Sequence, residues 1–261
     1  MQRFLRAGLV PVLCACAGMP AHAQWQVGAG PGLRYAVHDE YDAAGHRLVR
    51  ERGWLPGIAL QAAYTTGALT WRAGAEGYRG TIDYHGHTQN GLSATSTTST
   101  QFAAVNAGVA YAFSGGVSLF AHVETDRWRR DIGGTATAVG LQESYRSTRL
   151  FAGAARTWRP AAGRLTADAA LFRSTPEKMR VAFSGRFDPA RMDLDPARGL
   201  RLGLGLRPAN APWLELSARY DRAHTARSGN AALTENGQFR GTITQPEHTR
   251  QALTFTVSAT Y

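Results

Sequence analysis

The sequence predicts an all-β chain that closes into an antiparallel, membrane-spanning barrel of about ten strands. Three observations lead there. Apolar and polar residues alternate with a period of two in one segment after another. Short connectors rich in Gly or Pro take turns with long polar ones. After residue 23 no stretch approaches the roughly 20 apolar residues that a membrane helix needs.

The last strand is the clearest. Leu253, Phe255, Val257, Ala259 and Tyr261 alternate with Thr254, Thr256, Ser258 and Thr260, so one face is apolar and the other hydroxylic. The same pattern runs through Ile58–Tyr64, Leu69–Glu76, Val105–Phe113, Val117–Glu124, Leu200–Arg207 and Leu214–Asp221, with Phe120 out of phase in its segment. Three further candidates are Trp25–Val37, Ser147–Trp158 and Leu165–Phe172. In Ser147–Trp158 either parity fits the outward face, because Leu150, Ala152 and Ala154 share theirs with Arg156; a bulge or an early end is expected. Val181–Phe183 is read as part of a long seventh hairpin with Pro176 at an irregularity, which keeps the strand count even.

Short turns are expected at Thr65–Gly67, Ser114–Gly116, Arg159–Gly163 and Arg207–Pro212. Long loops are expected near Asp39–Gly53, His85–Thr98, Arg130–Gly140, Ser184–Arg198 and Arg222–Pro246, the Ser/Thr run Ser93–Thr100 being read as loop. Closure satisfies every backbone donor and acceptor without a sheet edge, which lipid demands. Trp25, Tyr64, Trp71, Tyr111, Phe113, Trp158, Trp213 and Tyr261, near strand ends, are the expected interfacial girdle.

Met1–Ala23 reads as a secretory signal: Arg3 and Arg6, an apolar run, then Ala21-His22-Ala23 before the expected cut at Gln24. The barrel domain is then 24–261. Both cysteines, Cys14 and Cys16, fall in the signal, which excludes a disulfide scaffold and a Cys-ligated metal from the mature chain. Lipidation at Cys16 is the competing reading. Loss of Arg3 and Arg6 takes the formal charge from +10 to +8, and Lys178 is the sole lysine. The arginines are scattered rather than clustered, so nucleic acid is not an expected partner; lipid phosphate, which guanidinium grips with two hydrogen bonds, is.

Alternation turns Arg72, Glu76, His122, Glu124, Asp168, Arg201, Arg207, Glu215, Arg219 and Asp221 inward. In so narrow a barrel these are expected to form a salt-bridged plug, a narrow porin-like pore being the alternative. The nearest approach to a chemical motif is Ile82-Asp83-Tyr84-His85-Gly86-His87, where a carboxylate beside an imidazole is a plausible general base, and the two histidines have a spacing that can ligate a metal. Facing loops carry Asp39, Glu40 and Asp42, and Asp188, Asp193 and Asp195. There is no nucleophile elbow, P-loop or H-E-x-x-H, and Leu202-Gly203-Leu204-Gly205-Leu206 lies within an alternating strand, so no cofactor is expected.

Signal, strand pattern, loop pattern and terminal aromatic together resemble a small outer-membrane β-barrel of a Gram-negative bacterium, over nearly all the mature chain. The resemblance implies outer-membrane residence, contact with outer-membrane lipids and lipopolysaccharide, and assembly through the strand ending at Tyr261. In size the chain is similar to the omptin proteases, whose rim carries acidic and His residues on the second and fourth loops. That likeness would assign Asp83 and His85 as catalytic, opposite Asp193 and Asp195. The pattern departs from theirs: Asp-x-His stands here on the second loop, and the fourth has no histidine. The function expected is therefore a non-enzymatic barrel with a polar filled lumen and surface loops for binding or envelope integrity, with an omptin-like rim hydrolase and a narrow diffusion pore as alternatives.

Overall fold

The computed structural model describes residues 24–87, 93–134, 140–183, 185 and 187–261; the signal expected over 1–23, its cleavage and the alternative lipidation at Cys16 lie outside the described residues. The strands are β1 (Gln24–Tyr41), β2 (Arg47–Thr66), β3 (Leu69–His87), β4 (Ser93–Ala112), β5 (Val117–Ile132), β6 (Leu141–Trp158), β7 (Gly163–Phe183), β8 (Ala190–Pro208), β9 (Leu214–Thr225), β10 (Ala231–Glu235), β11 (Gln238–Ile243) and β12 (Glu247–Thr260). Ten of them close an antiparallel barrel in chain order, with β12 sealing onto β1; β10 and β11 form a separate hairpin. The seam ends in two backbone hydrogen bonds between Val27 and Tyr261, of 2.8 and 2.9 Å.

The connectors at one end are short, and those at the other carry the longest segment, 226–246. All eight aromatics expected as a girdle sit toward the short-turn end, with Trp25 packed on Tyr64 at 4.9 Å. Above them the outward positions, Arg156 next to Trp158 apart, stay apolar or small up to Tyr35, Trp54, Gly77, Ala103, Thr125, Thr148, Leu171, Leu200, Tyr220 and Leu253. About ten residues per strand, rising ~3.3 Å each at a tilt of ~40°, make a band of roughly 25 Å, the height of a bilayer's hydrocarbon. These are the membrane-spanning segments.

The barrel strands run to as many as 21 residues, well past that band. Most of the expected loops Asp39–Gly53, His85–Thr98 and Ser184–Arg198 is therefore strand: only residues 42–46 separate β1 from β2, and the run Ser93–Thr100 lies inside β4 with Thr98 and Thr100 turned inward and buried. Outside the membrane the outward face is polar, so the apolar alternation fades while the ladder continues. On β6 the parity is also settled. Leu150, Ala152, Ala154, Arg156 and Trp158 all face out, pairing runs unbroken to Trp158, and the irregularity lies instead between Arg146 and Arg149. On β7 the register shifts around Pro176, as expected. The shift exchanges faces: Phe172 and Ser174 point in below it, Glu177, Met179 and Val181 above it.

Inward glycines give aromatic rings room to lie flat across neighbouring strands. Tyr78 covers Gly57, where an added Cβ would come within 2.4 Å of its ring and 2.1 Å of the Gly77 carbonyl oxygen. Gly57→Ala is expected to destabilise the barrel by about 1–3 kcal/mol. Gly77→Ala, whose Cβ would meet nothing within 4 Å, should stay within about 0.5 kcal/mol of wild type. Urea titration of barrels folded into lipid vesicles compares the two.

Candidate functional site

The lumen holds two layers. At mid-height, within the membrane-spanning segments, charged side chains from opposite walls meet. Arg201 on β8 reaches Glu124 on β5 through two hydrogen bonds of 2.9 and 3.1 Å, and takes Asp221 at 2.6 Å. Arg219 on β9 reaches Glu76 on β3 at 2.6 Å and holds the other oxygen of Asp221 at 3.0 Å. Arg149 pairs with Asp126 at 2.8 Å, and Arg34 lies 3.8 Å from Asp221. Four guanidinium groups (Arg34, Arg149, Arg201, Arg219) thus face four carboxylates (Glu76, Glu124, Asp126, Asp221). Phe151 backs it, with the Arg201 guanidinium 4.3 Å from its ring and His122 stacked on it at 4.3 Å.

Above the lipid band the lumen is packed with apolar side chains, among them Leu55, Phe102, Trp128, Met179, Met192 and Leu194, all buried. A second ionic group is embedded there. Arg130, with 1% of its side chain exposed, lies 2.6 Å from Glu143, 2.9 Å from Glu51 and 3.2 Å from Glu40. Thr98 donates to Glu51 at 2.5 Å and Tyr145 to Glu143 at 2.8 Å, while His38 bonds Glu40 at 2.9 Å. Arg250 pairs with Glu177 beside them. Four carboxylates here meet two guanidinium groups and two buried imidazoles, His38 and His248, whose rings stand 5.3 Å apart. The shortage of cations has titration consequences. Burial pushes the Glu143 carboxyl up to about 6, Arg130 offsetting this only in part and the Glu40 charge adding to it. Burial also raises Glu40, but the His38 hydrogen bond and Arg130 outweigh it and hold that carboxyl below its usual range. Burial lowers both histidines, helped by Arg130 at His38 and by His38 at His248.

Glu143 therefore binds its proton more tightly folded than unfolded. Its stabilising contribution is complete below pH ~4.5 and is lost as pH rises through ~6, on the order of 2 kcal/mol in all. The two histidines act in the opposite sense over an overlapping range, so the contribution must be read as a difference. Between pH 4.5 and 7 the wild type should lose about that much stability relative to Glu143→Gln, measured by urea unfolding at each pH.

The segment 226–246 caps this end. Gln245 donates to Glu40 at 3.2 Å, and Ala231 and Ile243 of the β10–β11 hairpin pack onto the apolar layer. Asp188, from the β7–β8 connector, accepts from the Thr234 hydroxyl at 2.8 Å and the Gly237 N–H at 2.9 Å; these bonds, the backbone one foremost, hold its carboxyl below the usual range.

All ten side chains expected to line the lumen do so. Asp83 and His85 are elsewhere. Both lie on the outward, exposed face of β3, with Tyr84 between them turned inward, and no hydrogen bond joins them among the described residues. Asp193 and Asp195 are likewise outward and exposed, on β8, five strands away around the barrel. The two sets point away from each other on different walls and share no cleft. Asp39 is bound by Arg50 at 2.7 and 3.0 Å, and Asp42 closes its own loop against His46. Among the described residues no group of three or more His, Cys, Asp or Glu side chains is placed to hold a metal ion. The sequence reading missed Arg34, Asp126 and Arg149 of the mid-height layer and the whole of the Arg130 group. Its signal was the even parity of β5, in which Ser118, His122, Glu124 and Asp126 face in and carry Arg130 with them.

No protein-family model and no curated protein matches the chain. Among solved structures it is similar to the outer membrane protease OmpT from Escherichia coli, with a TM-score of 0.55 and 9% identity over 93% of this chain and 97% of that one. The translocator domain of the autotransporter NalP from Neisseria meningitidis gives 0.47 and 14% identity, over 90% of this chain and 88% of that one. Ail, the attachment invasion locus protein of Yersinia pestis, gives 0.39 and 9% identity, over 91% and 99%. At such identities the likeness to OmpT is one of fold: the chain is a ten-stranded, closed, antiparallel transmembrane β-barrel of the outer-membrane type.

Proposed function

We propose that this chain is a resident of the bacterial outer membrane that neither conducts nor hydrolyses, its sealed barrel holding the long-loop end outside the cell as a rigid platform for surface contacts. The observation that carries this reading is the pair of bridges across the lumen, Arg201 to Glu124 and Arg219 to Glu76, beneath a packed apolar layer and a hairpin cap. A pore of this width needs a clear axis, and charge pairs spanning it close that axis. The rim-hydrolase alternative has less support, because Asp83 and His85 look outward and away from Asp193 and Asp195. The hairpin is the natural contact element: Phe239 near its tip is 67% exposed, beside an Asn236-Gly237 turn.

The test uses the refolded mature chain. A folded barrel that is silent in planar bilayers at high salt, and that leaves a diverse peptide mixture uncut, supports the reading. An ohmic current, or cleavage that disappears in Asp83→Asn, overturns it.

A further inference from the structure

The outward face above the apolar band sets like charges against one another. Arg127 stands directly opposite Arg146 across β5 and β6, and Arg146 directly opposite Lys178 across β6 and β7. Across β7 and β8, Arg173 faces Arg198 and Arg180 faces Arg191. All seven side chains are exposed, and among the described residues none is held in an ion pair; Asp193, opposite Lys178, does not close on it. Directly opposed like charges repel across a sheet, so the arrangement is costly unless an anion lies between them.

Beside this patch the wall is recessed. The β2–β3 ladder is interrupted between the Arg52–Asp83 and Gly57–Tyr78 pairs, and the outward residues Gly77 and Ala103 are small. Two shallow grooves of about 340 and 480 Å³ result, floored by Ile58, Gly77 and Ala103. Arg127 edges both, joined by Arg146 at one and Arg129 at the other. The seam side of the barrel is built otherwise: there Tyr35 packs on Trp54 at 4.9 Å, and Trp54 neighbours Phe255.

We propose that the β3–β7 face holds a multiply phosphorylated acyl lipid of the surrounding leaflet, its phosphates on Arg127, Arg146 and Lys178 and an acyl chain in the groove over Gly77 and Ala103. Charge complementarity selects the headgroup. Three cations on successive strands ~4.8 Å apart span ~10 Å, room for more than one phosphate, and guanidinium binds phosphate through paired N–H donors. Continuity with the apolar band selects a lipid over a free anion. The proposal rests on the outer-membrane reading only in assigning this face to the outer leaflet.

The test is native mass spectrometry of the full mature barrel in nonionic detergent, titrated with diphosphoryl lipid A. Parallel titrations use the dephosphorylated lipid, phosphatidylglycerol and inorganic phosphate, and heat-modifiable gel mobility confirms folding throughout. Wild type should retain diphosphoryl lipid A in preference to the others. The triple variant Arg127→Gln/Arg146→Gln/Lys178→Gln should bind it about tenfold or more weakly, and Ala103→Phe, which fills the groove from outside, should weaken it as well. Equal binding by a folded triple variant, no preference for the diphosphoryl lipid, or capture of inorganic phosphate alone would each overturn the proposal. None of these outcomes bears on conductance, so the sealed-barrel reading stands or falls separately.

Discussion

Replacing Arg130 with methionine is expected to cost the barrel about 3–5 kcal/mol, seen as a lower urea midpoint in vesicles and a smaller folded fraction on gels. One guanidinium there serves Glu40, Glu51 and Glu143, each within 3.2 Å. Its removal leaves three carboxylates in a compartment that exposes almost none of them. The cost comes less from lost attraction than from stranded charge, and charge can be withdrawn. Adding Glu51→Gln and Glu143→Gln to Arg130→Met should therefore recover more than half of the loss. Arg130→Lys should fall between, since a single ammonium cannot present the separate Nε and Nη1 contacts that reach Glu51 on β2 and Glu143 on β6. A triple variant no more stable than Arg130→Met alone would shift the explanation to packing against Trp128, 5.0 Å from the guanidinium.

Alternation made most of the mid-height layer legible in the sequence, because a strand with one lipid-facing side declares which residues turn inward. Glu76, Glu124, Arg201, Arg219 and Asp221 follow from the parity of Trp71, Val123, Leu202 and Leu216. The same rule extends through β3 without a bulge and would have turned Asp83 and His85 outward, had the strand been carried past Glu76. What hid the upper layer was chemistry. Beyond the lipid band the outward face is polar and the inward face mixes ionic groups with apolar ones, so Arg130 and Glu143 look like loop residues, although each lies within a regular ladder. The β7 and β8 faces were less legible still, since the register shift at Pro176 reverses inside and outside within one strand. The hairpin cap depends on contacts between segments distant in the chain, such as Asp188 with Thr234, that no local pattern encodes.

Arg201→Met is the sharper probe of the seal. It breaks both bonds to Glu124 and the bond to Asp221, and about 3–5 kcal/mol should be lost. Asp221 retains Arg219 at 3.0 Å and Arg34 at 3.8 Å, so most of the stranded charge is on Glu124, whose other guanidinium, Arg149, is 3.9 Å away. Arg201→Met/Glu124→Met should accordingly recover much of the stability, and a double-mutant cycle between the two positions should show coupling of about 1–3 kcal/mol. Conductance is expected to behave differently. The apolar layer of Leu55, Phe102, Met192 and Leu194 lies above the break and does not depend on it, so the single variant should remain silent in planar bilayers. Two closures of unlike chemistry then stand in series, and opening the ionic one alone lets water in from the short-turn end without joining the two sides. A conducting Arg201→Met barrel would mean that the charge layer alone holds the lumen shut.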